Sequence, residues 1–293
     1  MIEARSERFW DLVPREAQVT KVATGFVFTE GPVFSRRGYL LFSAQGPERP
    51  LTGLSNPCIS SRDRPPLCAE LAESDMGPGR ILRWERGKVS TFREKSNGAN
   101  GLTFDHQGRL LACERDRVTR TEKNGAITVL AAEGLGQPND LVYAIDGSVY
   151  FSDLPKSRVY QVTRGGKVRV AAEDCAAPNG VALSPDQRKL YVADSKSRKV
   201  RVYDIAGDGA LERGRDFAEA RCDGLKTDEG GNVWVAGPGG VWVFSGGGEH
   251  LGTIGTPEEP TNCCWGAGFR GIYITAQTSV YTAPTRAPGT RTY

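Results

Sequence analysis

One unit recurs through this chain: a polar residue, a small residue, a short apolar strand, a turn carrying Gly or Asp, and a second apolar strand. Its copies begin at Glu30-Gly-Pro-Val-Phe, Asn100-Gly-Leu-Thr-Phe, Asn139-Asp-Leu-Val-Tyr, Asn179-Gly-Val-Ala-Leu, Asp223-Gly-Leu-Lys-Thr and Asn262-Cys-Cys-Trp-Gly. The second strands read Tyr39-Leu-Leu-Phe, Leu110-Leu-Ala-Cys, Val149-Tyr-Phe-Ser, Leu190-Tyr-Val-Ala, Val233-Trp-Val-Ala and Ile272-Tyr-Ile-Thr. The starting residues stand 70, 39, 40, 44 and 39 positions apart. A repeat of about 40 residues is the size of a four-stranded propeller blade. The turns between the first two strands, such as His106-Gln-Gly and Ile145-Asp-Gly, carry hairpin signals.

The repeats predict an all-β protein, a six-bladed β-propeller forming one domain over residues 1–293. A linear array of such units needs capping ends, whereas a propeller closes on itself and leaves no exposed sheet edge. Gln18-Val-Thr-Lys-Val is placed to supply the outer strand of the sixth blade, after Ser279-Val-Tyr-Thr. The formal net charge of +3, with no basic run, argues against a nucleic-acid partner. No stretch approaches the roughly 18 to 20 apolar residues of a membrane span. The charged N-terminus lacks the apolar centre of a signal peptide. Seven cysteines without regular spacing make no disulfide framework, which points to a reduced, cytoplasmic protein. Nothing in the sequence requires Cys58 and Cys68 to pair.

Equivalent positions of a propeller form a ring about its axis, and the residues ahead of the innermost strands are Glu30, Asn100, Asn139, Asn179, Asp223 and Asn262. All six carry side-chain oxygen. Asn and Asp favour turns, which explains an isolated Asn-Gly but not six of six. Two carboxylates among amide oxygens make a hard donor set. It suits one divalent cation: Ca²⁺ first, then Mg²⁺ and Mn²⁺. Zn²⁺ and Fe²⁺ stand further behind, because the ring offers no thiolate or imidazole.

Phe28-Thr-Glu-Gly-Pro-Val-Phe, Gln137-Pro-Asn-Asp-Leu-Val, Ala177-Pro-Asn-Gly-Val-Ala-Leu-Ser-Pro-Asp and Cys222-Asp-Gly-Leu-Lys-Thr-Asp resemble the signature of the gluconolactonase/regucalcin family. The pattern continues through Val233-Trp-Val-Ala-Gly-Pro-Gly-Gly-Val-Trp-Val-Phe, so the resemblance covers the chain from Glu30 to about Thr282. It implies a six-bladed propeller that hydrolyses a small-molecule lactone with a bound divalent metal, commonly Ca²⁺. It also implies Glu30, Asn139, Asn179 and Asp223 as the metal ligands, whereas the repeats alone leave six candidates. Asn100, Gln137 and Asn262 are then expected to face substrate. Gln137 stands where some members carry an Arg that helps to hold a sugar acid.

Water adding to a lactone carbonyl needs a base, and Asp223 is the first candidate, with Glu30 second. The sequence leaves open that either is a ligand alone and that a metal-bound hydroxide takes the base's place. The two histidines, His106 and His250, fall in turns and are expected to be exposed, which removes a Ser-His-Asp mechanism. Cys263 and Cys264 have no neighbouring His and are expected as small buried apolar residues. Glu114, Asp153 and Asp194 end second strands on the ring side, either facing the site or capping turns. The first unit carries an insertion over 45–79, rich in Pro, Ser, Arg and Glu, whose topology puts it on the metal face as a lid, an oligomer contact or a plain surface loop. Three alternatives share the fold: an organophosphate-hydrolysing phosphotriesterase, a metal-free strictosidine-synthase-like propeller and a non-catalytic metal-binding propeller.

Overall fold

The computed structural model describes residues 1–46 and 77–291. The insertion expected over 45–79 therefore lies, apart from its ends, outside the described residues, as do Cys58 and Cys68. The described residues build six antiparallel sheets arranged as the six blades of a propeller. The innermost strands are Phe28–Phe34, Leu102–Phe104, Pro138–Tyr143, Pro178–Leu183, Leu225–Thr227 and Asn262–Trp265. Among the described residues helical structure is confined to the single turn Phe9–Leu12 and the short 3₁₀ segment Ala267–Phe269.

The second strands are apolar without alternation because both faces of each blade are buried against neighbours. In the first blade Leu40 and Phe42 pack toward the sixth blade beside Phe26 and Val280, while Leu41 packs toward the second beside Leu102 and Leu110. Six such clusters hold the core together, and the one between the fifth and sixth blades also takes in Phe9 and Val13 from the N-terminal segment.

Closure follows the expected route. Thr20–Thr24 is the outer strand of the sixth blade, with Thr20 opposite Thr282 and Lys21 opposite Tyr281. The sequence gives no warning of a second closing element: Ile2–Ala4 adds a fifth strand to the fifth blade, with Ile2 opposite Ile254. Two neighbouring blades thus have their outer edges covered by the N-terminal segment, which removes unpaired backbone groups from those edges.

The polar-Gly pairs that open four of the units have a cause other than turn formation. At the axis the blades approach until backbone meets backbone. Gly101 N–H donates to Asn139 O at 2.8 Å, and Gly180 N–H donates to Asp223 O at 3.1 Å. A Cβ built on Gly180 would lie 2.6 Å from Asp223 O and 2.7 Å from Gly224 Cα, with no flexible side chain to give way. Gly180→Ala should therefore lower the unfolding free energy by roughly 1–3 kcal/mol, the usual range for overpacking a close contact. Chemical denaturation checks this, and an unchanged midpoint would mean that the blades are not held at this spacing.

Candidate functional site

The inner strands deliver the ring residues to one end of the axis, and in three blades a β-bulge re-aims them. Strand pairing slips between Glu30 and Val33, between Pro138 and Leu141, and between Pro178 and Val181. Glu30, Asn139 and Asn179 stand at these irregularities, where a side chain leaves the regular alternation of the strand. Asn100 and Asp223 sit just ahead of their strands, and Asn262 opens its own.

The loops that carry two of these residues are clamped from beneath. Asp153 accepts the Gly136 and Gln137 N–H groups at 2.7 and 3.1 Å, ahead of Asn139. Asp194 does the same for Ala176 and Ala177 at 2.8 and 3.0 Å, ahead of Asn179. Burial works against the Asp194 carboxylate, yet these N–H groups and Ser197 hold it below its ordinary range. Glu114 takes part in a different contact, pairing with Arg93 and Arg117, each at 2.9 Å, and accepting from Thr119. All three carboxylates support the backbone or join strands rather than face the axis.

Two carboxylates face each other within the ring. Glu30 is 3% exposed and accepts hydrogen bonds from Gly31 N–H and, at 3.2 Å, from the Asn262 amide. Burial, then the charges of Asp223 and Asp140, push its carboxyl well above the usual range. Burial, then Asp140, also raises Asp223 to about 7, with a hydrogen bond from Asn179 and the Arg221 charge acting against the rise. The side-chain oxygens of Asn100 and Asn179 are buried and have no hydrogen-bond partner within the protein. Buried carbonyl oxygens are seldom left so. Carboxylates that resist ionisation and amide oxygens without donors are what a cation site consists of before the cation is counted. The residues present therefore fit an oxygen-bound divalent metal. Among the described residues no group of three His, Cys, Asp or Glu side chains is disposed to hold one, so the set depends on its amides.

Asn262 departs from its expected role. It is 1% exposed, and its amide is committed to Glu30, Asp140, Lys226 and the Cys263 N–H. It supports the ring and has no group left for substrate. Asn100, Asn139 and Gln137 are half-buried at the same end of the channel. Sequence reading missed Asp140 and Lys226. Asp140 is 2% exposed and lies 3.3 Å from Lys226 Nζ. Burial alone would lower the Lys226 ammonium, but Asp140, Cys263 and Glu30 hold it above its ordinary value. The signal was present in the repeats, where Asp140 replaces the usual glycine and Lys226 is the one base on an inner strand at its position.

His106 is exposed and meets the Tyr143 hydroxyl at 2.5 Å, in a turn away from the ring. His250, expected in an exposed turn, instead starts a strand, is half-buried and stacks on Trp242 with centroids 4.8 Å apart. Cys263 and Cys264 are buried, and burial pushes the Cys263 thiol up to about 12, so neither is a ready nucleophile.

The Asp223 shift has a consequence for the metal-free protein. Folded, Asp223 keeps its proton to about pH 7; unfolded, it ionises near 3.8. Between these values the folded state binds more protons, so stability falls as pH rises and levels off above about 7. Glu30 acts in the same direction. Thermal unfolding in chelator from about pH 4 to pH 8 should show that fall, and Asp223→Asn should flatten it. An equal slope in the variant would remove Asp223 from the account.

The gluconolactonase of Zymomonas mobilis is 27% identical over 92% of this chain and 81% of that protein. The solved structure of a gluconolactonase from Xanthomonas campestris superposes with a TM-score of 0.80 at 26% identity, covering 97% of this chain and 94% of that one. The calcium-binding protein regucalcin of Agrobacterium tumefaciens shares the fold, with a TM-score of 0.72 at 15% identity over 94% of this chain and 97% of its own. Residues 65–278 match the SMP-30/Gluconolactonase/LRE-like region, and the chain belongs to that family.

Proposed function

We propose that this protein hydrolyses a lactone at the axial ring, with Glu30, Asn139, Asn179 and Asp223 holding one divalent cation, Ca²⁺ before any other. The observation that carries the reading is the pairing of two buried, charge-resisting carboxylates with the Asn179 amide oxygen, which nothing in the protein satisfies. Two relatives named as gluconolactonases, similar along most of the chain, support the substrate class.

A bound cation supplies Lewis acidity toward the lactone carbonyl and holds both carboxylates ionised at neutral pH. Asp223, as carboxylate, takes the proton of the adding water and returns it to the ring oxygen as the C–O bond breaks. Asn179 donates to Asp223 and fixes its orientation. Glu30 is held by Gly31 and Asn262, which leaves it the second candidate for the base. Asn100 presents an unpartnered amide oxygen to a substrate hydroxyl, and Gln137, half-buried two residues ahead of Asn139, is the second substrate contact.

Glu30→Gln and Asp223→Asn should each weaken metal binding more than Asn139→Ala or Asn179→Ala, because each removes a counter-charge as well as an oxygen. Either should lower kcat by roughly a hundredfold or more, the scale of losing one group that stabilises a developing oxyanion. Asn262→Ala should weaken metal binding more than Asn100→Ala, since Asn262 holds Glu30 in place. Calorimetric Ca²⁺ titration, with hydrolysis of aldonolactones, aromatic lactones and organophosphates before and after chelation, tests the set. Lactone turnover indifferent to chelator and to both carboxylate substitutions would refute the reading; faster turnover of organophosphates would reassign the substrate.

A further inference from the structure

The six inner strands carry equivalent side chains toward the axis, so an exception to the series is conspicuous. One position beyond the ring the series reads Gly31, Gly101, Asp140, Gly180, Gly224 and Cys263. Three positions beyond, it reads Val33, Thr103, Val142, Ala182, Lys226 and Trp265, and all six line one cavity of about 100 Å³. These twelve positions hold one acid and one base, and the two are paired at 3.3 Å.

The pair is wired to the ring. Lys226 Nζ donates to Asn262 Oδ1 at 3.2 Å and to Leu225 O at 3.0 Å. The Asn262 amide nitrogen donates to Glu30 Oε2 at 3.2 Å and to Asp140 Oδ2 at 3.3 Å. Asp140 also accepts from Leu141 N–H at 2.9 Å and from Val181 N–H at 3.4 Å. Lys226 thus keeps the Asn262 oxygen turned away from Glu30 and the nitrogen turned toward it. A buried ion pair is weak evidence for stability, since apolar residues of similar volume often serve as well. Its place beside two further carboxylates calls for another reason.

We propose that Asp140 and Lys226 are positioning residues that set the charge of the cation site, tuning it to a divalent ion. The inference rests on the reading of the ring as a cation site. Glu30, Asp223 and Asp140 carry three negative charges and Lys226 one positive, which leaves a deficit that a divalent cation neutralises. Without Lys226 the deficit fits a trivalent ion; without Asp140 it fits a monovalent one. Removing either residue therefore moves affinity in opposite directions, whereas removing either half of a purely structural strut moves it the same way.

Calorimetric titration of Ca²⁺ and Tb³⁺ into the full chain tests this with Lys226→Met, Asp140→Asn and the double variant. Lys226→Met should bind Ca²⁺ about tenfold more tightly, and Asp140→Asn about tenfold more weakly, for one unit charge at close range in a partly screened interior. Tb³⁺ should gain more than Ca²⁺ in Lys226→Met. The double variant should return to within about threefold of the parent, since the two charge changes offset. Lys226→Arg, which keeps the charge, should match the parent, and Lys226→Gln stands in if the Met variant does not fold. Loss of Ca²⁺ affinity in both single variants, or no change in either, would overturn the proposal. A parent chain that binds neither ion would instead remove the cation reading of the ring, and the proposal with it.

Discussion

Backbone contact at the axis is the constraint on which the rest of the structure depends. Gly101 and Gly180 let adjacent blades touch through N–H···O bonds of 2.8 and 3.1 Å to Asn139 and Asp223. A side chain at these positions would force the blades apart. Because they touch, the residue ahead of each glycine is carried to a narrow ring, and six polar side chains share a small volume. The chemistry of the site follows from that geometry, since the same residues on a wider ring would be separately hydrated.

Crowding works against the polypeptide in two ways. It desolvates Glu30 and Asp223, raising both carboxyls, and it leaves the Asn100 and Asn179 oxygens without donors. The Asn262 and Asn179 amides offset the first condition only in part, and nothing in the ring relieves the second. The surrounding structure holds it in place: Asp153 and Asp194 grip the loops before Asn139 and Asn179, and Asn262 anchors Glu30. A ring held against its own repulsion would be preorganised for the proposed cation, because little would have to rearrange on binding.

Much of this was legible in the sequence, for a physical reason. A propeller repeats its blade, so recurrence of the unit gives blade number, strand order and the ring together. Closure by the segment from Gln18 was legible from its place ahead of the first inner strand, because a closed ring of blades needs an outer strand for its last blade. The added strand Ile2–Ala4 was not, since three residues carry no usable period. The role of Asn262 was hidden because repeats report where a side chain starts, while hydrogen-bond partners across the axis decide what it does. Asp140 and Lys226 were visible as exceptions to the series, but attention to the polar ring alone passed over the positions behind it. His250 was misplaced because glycines before it suggest a turn, whereas stacking on Trp242 fixes it at a strand start.

The central claim is that one cation sits on the axis and is held by four particular side chains. A crystal grown with Ca²⁺ and measured at long wavelength locates that ion by its anomalous scattering. The account predicts a single axial peak about 2.3–2.6 Å from oxygens of Glu30, Asn139, Asn179 and Asp223, the usual span of Ca²⁺–oxygen contacts. Asn262 should remain bonded to Glu30 and outside that sphere. A peak away from the ring, or a ring without one in which the Asn179 oxygen bonds to the protein instead, would contradict it.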